Sequence, residues 1–388
     1  APVGDVFLHV SAVALVGQRR IVNLPDAAVL DQTVVRARPK LDAVAKANRL
    51  AIRPGELVSA TNPGNIAAPH SDVMRAPAAD AVGRAVAQIQ VLVCHVAAAT
   101  LIDDVPVADP ASQSFFGTGK MARALDIPDI WADFYTVKDV PHGALSSKYY
   151  FSKVTNDWRR LFVYTPPGYD VNTAEKYPVV YVQHGGGEDE TGWANQGKTN
   201  IILDNLIAEG KARPMLVVIA NGNVRTGGGG YSSEGMAAFK KEMTQNIVPF
   251  IDQNYRTLSD AKNRAICGLS MGGGQSFYVG LESLDMFGSV GIFSSGIFGG
   301  IRTTGSGFYA EKEIPGLLSK SAEFNQKLDL FYISCGEQDM RIEHTKKAVE
   351  TMEKNGLEVE FNSFPGDHEW QVWRKSLHDF ATRVFKQK

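Results

Sequence analysis

From Tyr149 onward, short apolar runs of strand character alternate with segments of helical periodicity, and this constrains the fold more than any other feature. Strand-like runs fall at Tyr149–Val154, Arg160–Tyr164, Val179–Gln183, Met215–Ala220, Ala265–Cys267, Val290–Phe293, Leu330–Ser334 and Glu358–Phe364. Strands alternating with helices imply a mostly parallel sheet covered by helices on both faces, the α/β class. Phe239, Met243, Ile247 and Phe250 recur at steps of four, four and three. That spacing predicts a helix over 235–255 with these four side chains on one face.

The upstream part reads differently. Before Phe115 the only aromatic residue is Phe7 and the only lysines are Lys40 and Lys46, whereas all 12 tyrosines and 5 tryptophans come later. Ala- and Val-rich runs such as Ala12–Val16, set between Pro, Asn, Gly and Asp, favour short strands and turns. The expected organisation is a small all-β, sandwich-like domain over 1–125, a Pro- and Asp-bearing connector over 126–145 and a catalytic domain over 146–388.

A net charge of −2 over 388 residues gives no electrostatic reason to expect nucleic acid or an anionic membrane as partner. No apolar run approaches the ~18 residues of a membrane-spanning helix. The chain starts at Ala1 rather than Met, as it would after removal of a leader, so a secreted or periplasmic location is the expectation. Three cysteines do not make a disulfide framework. Cys267 and Cys335 end strand-like runs and read as core residues, and Cys94-His95 lacks further ligands at metal-binding spacing. No metal or cofactor is expected.

Gly268-Leu269-Ser270-Met271-Gly272 lies between the strand-like Arg264–Cys267 and a helix-like stretch from Gly273. A serine between two glycines at a strand-to-helix junction is the nucleophile-elbow pattern, in which a tight turn pushes the hydroxyl out above the sheet edge. Such a serine needs a base to take its proton and an acid to orient that base, and in α/β-hydrolases the chain order is Ser, Asp/Glu, His. Cys335–Asp339 leaves the strand run Leu328–Ser334 and offers Asp339 as the acid, with Glu337 as rival and Asp329 less suited inside the strand. His368 sits in the loop after Glu358–Phe364 and is the expected base. His142 lies in the connector, and His344 and His378 fall on helices.

His184 has another place. Gln183-His184-Gly185-Gly186-Gly187 ends a strand and opens a glycine-rich turn ahead of Ser270, the pattern of an oxyanion loop. The N–H of Met271, with that of Gly185 or Gly186, would donate to the oxyanion. Thr226–Tyr231 reads as a loop at the pocket mouth with Tyr231 as a substrate contact, and Trp193, Trp370 and Trp373 as an aromatic wall.

These motifs, with Asp139–Gly143, Tyr164–Tyr169, Pro249–Ile251 and Asn254–Arg256, resemble carbohydrate esterase family 1, the feruloyl and acetylxylan esterases within the esterase D-like α/β-hydrolases. The resemblance runs from about Phe134 to the C-terminus. It implies Ser270 as nucleophile, His368 as base, Asp339 as its orienter, and hydroxycinnamoyl (feruloyl) esters of a plant cell-wall polysaccharide such as arabinoxylan as substrate. Acetylxylan and catecholate-trilactone siderophore esterases are the enzymatic alternatives, and a carbohydrate-binding protein with an inactive hydrolase fold is the non-enzymatic one. Val105–Pro110 is similar to the closing segment of a family 48 carbohydrate-binding module, although that region carries few aromatic platforms for sugar.

Overall fold

The computed structural model describes residues 15–17, 20–22, 101–102, 105–106, 114–117, 119–123, 132–224, 232–299 and 310–386. The expected N-terminal sandwich, Cys94-His95 and Tyr231 lie largely or wholly outside these residues. Two compact units divide the chain, Ala1–Gln113 with Ala122–Ile127, and Ser114–Met121 with Pro128–Lys388. In the first unit, Leu15–Gly17 pairs antiparallel with Arg20–Val22, and Leu101–Ile102 with Val105–Pro106.

The second unit is built on eight strands: β1 (Ala144–Ser152), β2 (Asp157–Thr165), β3 (Val179–Gln183), β4 (Leu216–Ala220), β5 (Arg264–Leu269), β6 (Ser289–Phe293), β7 (Leu330–Gly336) and β8 (Glu360–Phe364). Their order across the sheet is β8-β7-β6-β5-β3-β4-β2-β1. The six strands from β3 onward pair in parallel, while β2 runs antiparallel to both β1 and β4. This is the α/β-hydrolase fold. Its helices are α1 (Thr199–Ala208), α2 (Ser233–Glu242), α3 (Val248–Asn254), α4 (Met271–Leu281), α5 (Ala310–Glu313), α6 (Ser321–Lys327), α7 (Ile342–Lys354) and α8 (Trp370–Arg383).

Side-chain alternation along the central strands makes two cores, because successive residues of a strand face opposite ways. In β3, Val179 and Tyr181 join Phe239 and Ile247 from the α2–α3 stretch, Phe277 from α4 and Met352 from α7. Val180 and Val182 join Ile202 and Leu206 from α1, and Leu377 and Phe380 from α8. Cys267 and Cys335 are fully buried.

The predicted helix over 235–255 exists but is not uniform. A π turn, Met243–Ile247, joins α2 to α3. Its wider winding advances the core-facing position by one residue, so Ile251 is fully buried and Phe250 is displaced to the margin. Phe250 packs instead at 5.7 Å from the Tyr150 ring. Strand β1 begins at Ala144, within the last residues of the expected connector. The 3₁₀ turn Asp133–Tyr135 buries Tyr135, and Asn205 of α1 donates to the carbonyls of Phe134 and Thr136.

The elbow between β5 and α4 rests on two glycines. A methyl group on Gly272 would lie 2.5 Å from the backbone oxygens of both Gln183 and His184, and one on Gly268 would lie 2.6 Å from the Gly272 carbonyl carbon. These neighbours are backbone and cannot swing aside. Gly272→Ala is therefore expected to cost about 3 kcal/mol in urea unfolding, whereas a change at an open site costs about 0.5 kcal/mol or less. Gly186→Ala, with nothing within 4 Å, is the matched control.

Candidate active site

Ser270 sits at the apex of the elbow with φ 51° and ψ −114°, a backbone conformation that a non-glycine residue adopts only when its surroundings enforce it. The enforcement is visible. Its N–H donates to the Phe293 carbonyl of β6 at 2.8 Å, and its carbonyl accepts from the Ser295 hydroxyl at 2.9 Å and from Gly274 N–H at 3.2 Å. The Met271 N–H begins α4 beside it, at the positive end of the helix dipole.

His368 stands 3.0 Å from Ser270 Oγ through Nε2, and 2.7 Å from Asp339 Oδ2 through Nδ1. With Asp339 ionised, Nδ1–H donates to the carboxylate and Nε2 is left to accept from the serine hydroxyl. Asp339 is 1% exposed, and its other oxygen accepts from Arg341 twice, from N–H at 3.0 Å and from Nη1 at 2.8 Å. Burial alone would raise this carboxyl, but His368 and Arg341 outweigh it and hold Asp339 below the usual aspartate range.

Three of the expected site residues are thus brought together, and the alternatives fall elsewhere. Glu337 is exposed, and Asp329 is exposed at the opposite end of β7, beside a cavity of about 500 Å³ that is remote from Ser270. His142 binds Asp204 and the Lys138 carbonyl, His344 is exposed on α7, and His378 packs edge-on to Phe134. The approach of the His368 loop depends on Gly336, where a methyl group would meet the Gly366 carbonyl at 2.5 Å. Gln338 then clamps Gly366 through hydrogen bonds in both directions.

The glycine-rich turn is set by two side chains. Gly222 N–H donates to His184 Nε2 at 2.9 Å, so Nδ1 carries the proton and donates to the Gly185 carbonyl at 2.8 Å. Burial lowers the His184 imidazole, consistent with this neutral form. Glu188 Oε2 accepts the Gly185 N–H at 2.9 Å. Of the two expected loop donors, Gly185 is therefore committed to Glu188. Because carbonyl and following N–H point to opposite sides of a trans peptide, the Gly185 carbonyl held toward His184 turns the Gly186 N–H outward, and Gly186 is exposed. A hairpin formed by Ser114–Gly117 and Lys120–Arg123 meets the same loop: Gly119 N–H donates to the Gly187 carbonyl at 2.8 Å, and Phe116 N–H to Thr191 Oγ1 at 2.8 Å.

The aromatic wall needs correction. Trp193 is fully buried with its Nε1–H on the Gln183 carbonyl at 2.8 Å, and Trp373 is 6% exposed. With Trp370 between them they form an edge-to-face ladder, Trp193–Trp370 at 5.1 Å and Trp370–Trp373 at 5.2 Å, ending on the His368 ring at 5.0 Å from Trp373. Only Trp370 is half-exposed, so the ladder is packing that braces the histidine. Glu188 and Arg341 had no place in the sequence reading. Arg341 was open to discovery by asking what cation accompanies a buried Asp339 two residues away. Among the described residues no cluster of three or more His, Cys, Asp or Glu could hold a metal, and no helix is long and apolar enough to cross a membrane.

Fold and site together define an α/β-hydrolase with a hydrogen-bonded Ser–His–Asp arrangement at the sheet edge. The chain belongs to the esterase family, a group of carboxylic ester hydrolases described as putative esterases, which matches residues 152–383, and it stands with carbohydrate esterase family 1. It is 34% identical over 287 residues to an endo-1,4-beta-xylanase/feruloyl esterase of Xylanibacter ruminicola, covering 72% of this chain and 36% of that protein. It is 32% identical over 199 residues to endo-1,4-beta-xylanase Y of Acetivibrio thermocellus, covering 48% of this chain and 17% of that one. The chain thus spans well under half the length of these curated relatives. Among solved structures, a carbohydrate esterase family 1 ferulic acid esterase of Anaeromyces mucronatus, in complex with ferulic acid, superposes with a TM-score of 0.56 at 29% identity, covering 66% of this chain and 96% of that one.

Two carboxyls give the site opposite pH signatures. The folded-state pKa of Asp339 is depressed from 3.8, so its contribution to stability is present above that value and lost as pH falls below it. Glu188 is pushed by burial from 4.5 up to about 7, so its contribution is complete below pH 4.5 and lost as pH rises through about 7. In thermal melts, Asp339→Asn is expected to flatten the acid limb of Tm below pH 3.8, and Glu188→Gln to flatten the decline between pH 4.5 and about 7.

Proposed function

We propose that this chain is a serine esterase that releases hydroxycinnamoyl (feruloyl) groups from a plant cell-wall polysaccharide such as arabinoxylan, acting outside the cytoplasm. The observation that carries the reading is the continuous chain from Ser270 Oγ through His368 to Asp339, beside two backbone N–H groups at the elbow and the glycine turn. The substrate class is supported by the names of the Xylanibacter ruminicola relative and of the ferulate-bound structure.

In this reading His368 Nε2 takes the Ser270 proton as Oγ attacks the ester carbonyl. The oxyanion is stabilised by the N–H groups of Met271 and Gly186, fixed dipoles that need no reorganisation during reaction. The tetrahedral intermediate collapses, the sugar alkoxide takes the proton from His368, and the acyl group remains on Ser270. Water, deprotonated by the same imidazole, then releases ferulate and restores the hydroxyl. Asp339 stabilises the imidazolium formed in each half-reaction, while Arg341 holds the carboxylate through its N–H and Nη1.

Ferulate and acetate release from arabinoxylan, measured side by side for wild type and Ser270→Ala, tests the proposal. Ferulate is expected from wild type, with loss to background in Ser270→Ala. Acetate release without ferulate would replace the substrate by acetylxylan, and full activity in Ser270→Ala would remove the nucleophile assignment. Asp339→Asn, which favours the wrong histidine tautomer, is expected to lower kcat by about 10⁴.

A further inference from the structure

Glu188 is an unusual group to place inside the loop beside Ser270. Its Oε2 accepts the Gly185 N–H at 2.9 Å, and its own N–H donates back to the Gly185 carbonyl at 3.4 Å. The Trp370 indole N–H faces the same carboxyl. Gly192 provides the room: a methyl group there would meet the Trp370 ring at 3.2 Å and Glu188 Oε2 at 3.7 Å. Behind it, the Asn223 side chain donates to the Glu188 carbonyl at 2.8 Å. One carboxyl therefore touches the oxyanion loop and the segment that carries His368, two residues before Trp370.

We propose that Glu188 is a positioning residue that fixes the Gly185–Gly186 peptide, so that the Gly186 N–H points at the developing oxyanion, and that ties this peptide to the His368–Trp370 segment. The inference rests on the esterase reading of the site. Its physical basis is the pair of constraints on one glycine. His184 holds the Gly185 carbonyl and Glu188 holds the Gly185 N–H. With both fixed, the orientation of the next N–H is no longer free. Glycine at 185 is the residue whose backbone would otherwise wander most.

The position also carries a cost to folding. Burial and the neighbouring Asp189 both disfavour the charged form, and only the Gly185 N–H and the Trp370 indole oppose them. A neutral amide would fill the same space without that penalty. What the side chain retains at that cost is the hydrogen bond from the Gly185 N–H.

The test uses Glu188→Ala and Glu188→Gln in the full chain, assayed with methyl ferulate and p-nitrophenyl acetate, with Ser270→Ala alongside. Misplacing an oxyanion donor without deleting it is expected to lower kcat by about 10- to 100-fold in Glu188→Ala. KM is expected to hold within about threefold, because ground-state binding does not use that N–H. Affinity for an aryl boronic acid, which mimics the tetrahedral intermediate, should fall in step with kcat. Glu188→Gln retains an acceptor for Gly185 and is expected to recover kcat to within about threefold of wild type. A Glu188→Ala enzyme within twofold of wild type in kcat overturns the proposal, as does a loss matched by the fraction unfolded in circular dichroism. Activity persisting in Ser270→Ala would count against the esterase reading itself, whatever the Glu188 variants do.

Discussion

The site depends on a backbone contact in which no side chain takes part. The turn leaving β5 is pressed against the exit of β3, with Gly272 against the carbonyls of Gln183 and His184 and Gly268 against Gly272 itself. The contact costs Ser270 a strained conformation, and in return the nucleophile elbow and the glycine turn share one surface. A Cβ placed at Gly185 would lie 3.5 Å from Ser270 Cβ. The remaining geometry follows from that closeness: β6 holds the Ser270 N–H, β7 delivers Asp339 and β8 delivers His368, each at the same edge of a parallel sheet. A sheet of parallel strands gathers its strand-end loops at one edge, which is why three residues spread over 98 positions meet there.

That arrangement was legible because its signals are local. Strand β3 was bounded to the residue by its apolar run, and Ser270, Asp339 and His368 were each marked by a strand end followed by turn residues. Less legible was anything decided by contacts between distant segments. Whether Gly185 or Gly186 keeps an outward N–H depends on His184 meeting Gly222, 38 residues away, and on the side chain of Glu188 folding back. The three tryptophans look alike in sequence, yet their exposure is set by the π turn Gly192–Gln196 and by the first turn of α8. Phe250 was misplaced for a related reason, since a π turn has no apolar period of its own by which to announce itself.

The same packing surrounds the histidine on three sides. Its ring is bounded by Asp339 on one nitrogen, Ser270 on the other and the Trp373 ring, nearly perpendicular to it at 5.0 Å. The ladder continues through Trp370 to Trp193, whose indole is bonded to the Gln183 carbonyl at the root of the glycine turn. His368 and the glycine turn are therefore linked through aromatic packing.

The strap formed by Gly119 on Gly187 bears on where this protein can be divided. A boundary drawn at residue 125, the expected end of the N-terminal domain, preserves all eight strands of the sheet and every member of the Ser–His–Asp chain. It also removes the donor to the Gly187 carbonyl and the Phe116 N–H that meets Thr191. The compact unit that holds the sheet is thus longer than the sheet itself, since Ser114–Met121 belongs to it.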